Sequence, residues 1–383
     1  MANILYFYTY EMILMLLSLV LALSNPAGML QNRLQERTLA SLKDHSAGKL
    51  YSMDYKADYR LEDFLACGFS SSEELKGGVA QLLLSLPEEA VMGSPMAACS
   101  AFQAQTPEGD VIYCRNFDYD FEDGASIMTR FRPRGAYRSI GMVSMNHAGL
   151  SGSSLRDGRS DLSMLVAAPY AMMDGINEKG LAVSVLAILW NDCARQYQRG
   201  CRNIMTTVLM RLMLDRAANV DEALDLVREY NFFADGEQKI ARRGHKVNYH
   251  FLLSDASGKS AVLEFVREGG PSGKGKWVMN VVDERVATNF FQSEGWRSVE
   301  RPDKRFLRIC EALEANGGVM SEKEAMQLLC EVKQSHTRKG DSHTQWSVVY
   351  NLTRGTAKVC PAMDYTRAYD FSLRRCGAWR RNR

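Results

Sequence analysis

Met96-Ala97-Ala98-Cys99-Ser100-Ala101-Phe102-Gln103-Ala104-Gln105 leads through Thr106-Pro107-Glu108-Gly109-Asp110 into Val111-Ile112-Tyr113-Cys114-Arg115-Asn116-Phe117-Asp118-Tyr119-Asp120. From Cys99 onward the residues alternate, with Cys99, Ala101 and Gln103 set against Ser100, Phe102 and Ala104, which is the period of a strand. Pro107 and Gly109 mark a turn. The run from Val111 into Arg115-Asn116 predicts the returning strand. Pairing the two as a hairpin brings Arg115 and Asp118 back beside Cys99. One thiol, one fixed cation and one carboxylate at a hairpin mouth are the parts of an activated nucleophile.

Each residue type has its own task in that chemistry. A thiol attacks as thiolate, and its ordinary pKa of about 8.5 leaves little of that form at neutral pH. Arg115, always charged, favours the thiolate. Asp118 can hold an amine, and the amine in question is the α-amino group of Cys99, freed by a cut after Ala98. Its ordinary pKa of about 7.7–8.0 suits a general base that needs no histidine, and an N-terminal amine is a known activator of a nucleophile. The same residues also suit a half-buried hairpin with a structural cysteine and a surface ion pair, so the hairpin alone leaves both readings open.

Further segments follow in a definite order. They are Asp174-Gly175-Ile176-Asn177-Glu178-Lys179-Gly180-Leu181, then His250-Phe251-Leu252-Leu253-Ser254-Asp255-Ala256-Ser257-Gly258-Lys259-Ser260-Ala261-Val262-Leu263-Glu264, then Ala287-Thr288-Asn289 and Lys304-Arg305-Phe306. Together with the Cys99 hairpin, this series resembles the choloylglycine hydrolase family of N-terminal-nucleophile amide hydrolases over about residues 99–350. The resemblance implies an α+β fold, a four-layer αββα sandwich of two antiparallel sheets. It implies Cys99 as nucleophile with Arg115 and Asp118 beside it, and Asn289 as donor to the tetrahedral oxyanion, a role typically worth about 2.7–4 kcal/mol. It also places Arg305 by the nucleophile and requires neither metal nor organic cofactor. Two positions depart from the family pattern. Ala187 stands where bile salt hydrolases carry a second asparagine and cannot donate through its side chain. Cys114 stands where glycine is usual. Both departures bear on bile-salt specificity more than on amide hydrolysis.

The bounds agree with an enzyme of this size. The chain has 383 residues, 46% apolar and 24% charged, with net charge +2, the composition of a soluble globular protein. A near-neutral balance argues against nucleic-acid binding, which wants a basic face. Nine cysteines without CxxC or Cys/His spacing argue against a zinc site.

Residues 4–23 are strongly apolar, and Ala22-Leu23-Ser24 has cleavage-site spacing, but no Lys or Arg precedes the run. We expect 1–28 to be a leader or anchor that makes the protein exported or membrane-associated, with membrane contact through 4–23; a cytoplasmic protein is the alternative. Residues 29–98 read as a helical prosegment, with helices over 30–42, 61–67 and 72–83 and a capping box at Ser71 and Glu74. Its length resembles the ceramidase and ethanolamide-hydrolase branch of the resemblance. Residues 99–383 form the expected catalytic domain, in which strands, helices, strands, helices and strands follow one another.

Other residues were weighed for function. His147, His250 and His343 are rivals that a Cys/His thiol protease would need beside Cys99; no local thiol-protease signature accompanies Cys99, and His250 reads as core. The basic tail from Arg374 to Arg383 reads as solvated, and Asn351-Leu352-Thr353 is a glycosylation sequon. The function expected is hydrolysis of a linear C–N amide bond in a small amphipathic acyl amide, whether bile-salt-, N-acylethanolamine- or N-acyl amino acid-like. The alternatives are an unprocessed, membrane-anchored binding protein of the same fold and an acyltransferase that uses an amine acceptor.

Overall fold

A computed structural model describes residues 26–84, 97–144, 146, 150–156, 162–234, 246–297, 302–335 and 342–373. The apolar run at 4–23, His147 and the basic tail lie outside these residues.

The Cys99 hairpin forms as the alternation predicts. Strands β3 (Ala97–Gln105) and β4 (Val111–Tyr119) pair antiparallel, with Cys99 opposite Phe117 and Ala101 opposite Arg115. They are the centre of a six-stranded sheet ordered β14-β3-β4-β15-β16-β17, whose other members are Val286–Ala287, His343–Asn351, Thr356–Pro361 and Tyr369–Ser372 in that order. The larger sheet has nine strands. In chain order these are β1 (Lys43–Asp44), β2 (Leu50–Tyr55), β5 (Ser126–Phe131), β6 (Ser139–Ser144), β7 (Met172–Asn177), β8 (Ala182–Trp190), β11 (Lys246–Ser254), β12 (Ser260–Arg267) and β13 (Trp277–Val282), which is also their spatial order. Two short strands, β9 (Arg202–Met205) and β10 (Tyr230–Phe233), pair parallel beside it.

The sheets face each other, with β3 against β8 and β11. In chain order the helices are α1 (Pro26–Leu39), α2 (Leu61–Cys67), α3 (Ser72–Val79), α4 (Gly152–Arg156), α5 (Thr206–Arg216), α6 (Val220–Arg228), α7 (Lys304–Ala315) and α8 (Glu322–Glu331). Helix α5 covers β7 and β8, and α6 covers β12. On the other side α7 covers β3 and β14, and α8 covers β4 and β15. This is the four-layer αββα sandwich that the resemblance implies.

Strand β4 shows why the layering follows from the sequence. Its odd residues Val111, Tyr113, Phe117 and Tyr119 join the core between the sheets, while Ile112 and Cys114 join the core under α7 and α8. With both faces covered, the strand has no solvent side to mark with polar residues. Helix α7 buries Phe306, Ile309 and Leu313, a helical stripe worth about 1.5–3 kcal/mol per large side chain. The Asn177-Glu178-Lys179-Gly180 turn forms as expected. Asn177 Oδ1 accepts from the Lys179 and Leu181 main chains at 3.0 and 3.1 Å, and Gly180 has φ +89°. A Cβ at Gly180 would lie 2.7 Å from the Ala256 Cβ.

The segment before the hairpin corrects two expectations. Helices α1, α2 and α3 occur, with α3 passing into a π turn over Ala80–Leu84. The gap between α1 and α2, however, holds β1 and β2, so 29–98 is not a purely helical unit. Leu50-Tyr51-Ser52-Met53-Asp54-Tyr55 is rich in aromatic and apolar side chains and almost wholly buried, which suits a covered strand. Strand β2 runs parallel to β5, so the larger sheet is antiparallel except at that pair. The anticipated capping box is half formed. Ser71 accepts from the Glu74 N–H, but Glu74 Oε2 accepts from the main chain and hydroxyl of Ser70 instead.

Tyrosines tie this segment to the rest. The Tyr55 hydroxyl donates to Val166 O at 2.7 Å. The Tyr59 hydroxyl donates to Asp215 Oδ2 at 2.5 Å, and the Tyr170 hydroxyl donates to Tyr59 O at 2.7 Å. Asp215 also pairs with fully buried Arg211, whose Nη2 reaches Ser139 Oγ.

Candidate active site

Alternation along β3 and β4 sorts the hairpin's functional groups onto two sides. Cys99 and Ala101 point into the core between the sheets, whereas Phe102 and Ala104 point toward the helices. Arg115 lies on the same side as Cys99, and its Nη2 donates to Cys99 Sγ at 3.2 Å. Asp118 is three residues further on, so its side chain emerges on the helix side, where its Oδ2 accepts from Arg305 Nη1 at 3.1 Å. Thr344 Oγ1 donates to Asp118 Oδ1 at 2.5 Å. The thiol and the main chain of Cys99 are therefore served by different partners.

The main chain of Cys99 sits in a polar clamp. Its N–H donates to Asn289 Oδ1 at 2.6 Å, and its carbonyl accepts from Arg305 Nη1 at 3.0 Å. Arg305 Nη2 also donates to Asn289 Oδ1 at 2.8 Å. Asn289 Nδ2 donates to the main-chain oxygen of Ala187 at 2.7 Å. The five residues singled out in the sequence, Cys99, Arg115, Asp118, Asn289 and Arg305, thus converge. Their division of labour differs from the first expectation in one respect: Asn289, rather than the Asp118 carboxylate, meets the nitrogen of Cys99.

Charge in the site is set by burial opposed by pairing. Burial pushes the Cys99 thiol up, against the lowering effects of Arg115, a hydrogen bond from the Asp118 main chain, and Arg305. Burial also pushes the Asp118 carboxyl up to about 6, with Arg305, Thr344 and Arg115 pulling it down. For Arg115 burial works toward a lower value, but Cys99 and Asp174 outweigh it and hold the guanidinium firmly charged. Its Nε lies 3.2 Å from Asp174 Oδ2, both side chains wholly buried. Asp174 in turn accepts from the Tyr350 hydroxyl at 2.5 Å and from Trp346 Nε1 at 3.0 Å.

Arg305 violates a local rule in order to serve the site. A cation in the first turn of a helix opposes the dipole, yet Arg305 is the second residue of α7. Asp303 compensates: its Oδ1 caps the Phe306 N–H at 2.9 Å and its Oδ2 accepts from Arg305 Nη2 at 2.6 Å. The cap that starts the helix also aims the guanidinium at Cys99.

With this geometry in hand, comparison with known proteins is direct. Residues 99–271 match the model of linear amide C-N hydrolases, choloylglycine hydrolase family. A penicillin V acylase of Pectobacterium atrosepticum is 26% identical over 187 residues, 46% of this chain and 46% of that protein. The chain therefore matches about half the length of this curated relative. Among solved structures, a conjugated bile acid hydrolase from Clostridium perfringens aligns with TM-score 0.48 and 17% identity, covering 72% of this chain and 92% of its own. A penicillin V acylase from Agrobacterium tumefaciens aligns with TM-score 0.48 and 18% identity, covering 72% and 86%. Asn289 and Arg305 lie beyond the matched family segment, so their membership of the site rests on the contacts above.

Four residues that surround Cys99 and its partners were not singled out from sequence. Asp174 lay inside a quoted motif with no role of its own; it is on β7 and pairs with Arg115. Thr344, Trp346 and Tyr350 belong to β15; the sequence predicts a strand only over 346–352, which leaves Thr344 outside it. Their polar atoms are what make them functional, and a covered strand with Thr, Trp and Tyr ends to satisfy is the one signal that points to them. The histidines are engaged elsewhere: His250 contacts Glu264 and Thr288, and His343 contacts Gln345. Among the described residues, no group of three His, Cys, Asp or Glu side chains could hold a metal ion.

Proposed function

We propose that this chain is the precursor of a cysteine amidohydrolase that cuts itself between Ala98 and Cys99 and then hydrolyses a small amphipathic acyl amide. The reading is carried by one observation: Cys99 Sγ lies 3.2 Å from Arg115 Nη2 while Cys99 N lies 2.6 Å from Asn289 Oδ1. Nucleophile and future base are held by the same residue, each with its own partner. In the cut, Sγ adds to the Ala98 carbonyl carbon, the C–N bond breaks to leave the Cys99 amine and a thioester, and water hydrolyses the thioester. In turnover the amine takes the thiol proton, Sγ attacks the substrate amide, and the proton returns to the departing amine. Water then releases the acyl group. Arg115 stabilises the thiolate, Asn289 holds the amine, Arg305 holds the Cys99 carbonyl and Asn289 Oδ1, and Asp118 neutralises Arg305. In the uncut chain Asn289 Nδ2 is engaged with Ala187 O, and in turnover it transfers that hydrogen bond to the oxyanion. Penicillin V and conjugated bile salts are the first probes, by likeness to the relatives named above.

Intact mass and N-terminal sequencing of wild type beside Cys99→Ala test the reading. A wild-type fragment that begins at Cys99, absent from the variant, supports it. A wild type that stays uncut from acid to alkaline pH removes the α-amine base and with it the mechanism.

A further inference from the structure

Asn289 follows directly on β14, whose ladder partner among the described residues is β3 of the smaller sheet, with Val286 opposite Phe102 and Ala287 opposite Ala101. The chain then crosses to the larger sheet without regular secondary structure. Two side chains of the larger sheet receive it there. On β11, His250 Nε2 donates to Thr288 O at 2.7 Å, while Nδ1 lies 3.2 Å from Glu264 Oε1. On β12, Glu264 Oε1 accepts from the Gln292 N–H at 2.8 Å. Its Oε2 accepts from the Ser293 N–H at 2.9 Å and from the Ser293 hydroxyl at 2.5 Å. His250 and Glu264 are both fully buried.

This arrangement is more than a satisfied core histidine. Both ring nitrogens face oxygen atoms, one of the loop and one of Glu264, and the carboxylate is held below the usual range, burial being outweighed by His250, Ser293 and Gln292. A buried, hydrogen-bonded polar pair is a poor source of stability compared with apolar packing but a setter of geometry. Its contacts bracket Asn289 closely, at the residue before it and at the third and fourth residues after it. Asn289 itself touches the larger sheet through Ala187 O, and Ala187 pairs with Tyr249, the neighbour of His250.

We propose that the His250–Glu264 pair is the positioning device for Asn289, fixing the loop of residues 288–293 from the larger sheet so that Asn289 Oδ1 meets the nitrogen of Cys99. His250 and Glu264 touch neither thiol nor scissile bond; they act through the loop. The activity consequences rest on the function proposed above, whereas the positioning itself does not.

The test uses the full chain carrying Cys99→Ala, which cannot cut itself and keeps the amide at position 99. Hydrogen exchange at single-residue level reads whether Asn289 still holds that amide. Glu264→Gln and, separately, His250→Gln are expected to speed exchange at residue 99 by about tenfold or more, leaving the Gln103 amide, which bonds to Arg285 O, unchanged. Ser293→Ala removes the hydroxyl that donates to Glu264 and accepts from Asn280 Nδ2, and gives the same pattern, about threefold. Adding Glu264→Gln to Asn289→Ala should change residue 99 no further, because the pair acts only through Asn289. In otherwise wild-type protein, Glu264→Gln should lower kcat for penicillin V by about tenfold or more with KM unchanged. Exchange at residue 99 that stays at the reference rate in all three single variants overturns the proposal, as does equal loosening at residues 99 and 103. A wild type that stays uncut from acid to alkaline pH overturns the proposed function while the exchange results still judge the pair.

Discussion

Replacing Arg115 by methionine removes the guanidinium that donates to Cys99 Sγ at 3.2 Å and leaves Asp174 buried without its cation. At that separation and an effective dielectric of about 20, two unit charges attract by about 5 kcal/mol. An opposite charge at such range moves a pKa by about 1–3 units, so the thiolate fraction at about pH 7.5 should fall by about 10–1,000-fold. The self-cleavage rate should fall equally, because the thiolate is the attacking species. The assay follows the fragment beginning at Cys99 by intact mass after dilution from denaturant, at about pH 7.5, 8.5 and 9.5. In the variant the rate should recover about tenfold per pH unit. Breaking a buried pair also costs about 3–5 kcal/mol of stability. At about 2.1 cal/mol/K per residue, the 383 residues unfold with about 0.8 kcal/mol/K, so Tm should drop by about 5 °C. Arg115→Met with Asp174→Asn removes both charges but keeps an acceptor for Tyr350; it should regain most of the Tm and none of the rate. A single variant within about threefold of wild type, or a double variant that regains rate along with Tm, would refute the thiolate argument.

The remaining predictions concern pH, assembly and modification. Asp118 sits at about 6 against 3.8 for the free side chain, so its folded value is raised. The resulting cost in stability is absent below about pH 4 and complete above about 6, amounting to about 3 kcal/mol. Asp118→Asn should abolish that loss in denaturant titrations across this window. Because the ionised form pairs with Arg305, self-cleavage should rise with pH through about 6 in wild type and lose that step in the same variant. After the cut, the fragment carrying residues 26–84 should co-elute with the fragment that starts at Cys99, since β2 is a strand of the larger sheet. Tyr59→Phe, which takes a donor from Asp215, should lower the denaturant midpoint for their separation by the equivalent of about 1–3 kcal/mol. Asn351 is 1% exposed and bonded to Asp110 and Glu322, so its sequon should stay unmodified when the protein passes through a glycosylating secretory pathway, which intact mass reads directly.

Much of the site was legible because its residues sit in strongly patterned segments. The Cys99 hairpin follows from alternation and a Pro/Gly turn, and Arg305 and Asn289 are named by the ordered series that resembles the family. What stayed hidden were residues whose role depends on a partner far along the chain. Asp174 and Arg115 are 59 positions apart by number, and nothing local to either requires the other. His250 read as core, and it is buried, but its use lies in the main chain at Thr288. Strand β2 was hidden for a related reason, since a short apolar run between helices has no periodicity to separate strand from helix.

The ordered series named the five converging side chains, and local patterning was sufficient for the hairpin and the succession of strands and helices. These depend on spacing of two or 3.6 residues and on caps, which neighbours in sequence impose. The tertiary arrangement was needed to split Arg115 from Asp118 by sheet face and to give the nitrogen of Cys99 to Asn289. It was needed again to anchor residues 26–84 to the larger sheet through β2. Those outcomes turn on which strand lies beside which and on where buried polar groups find partners, and such long-range pairings leave no periodic trace in the residues that make them.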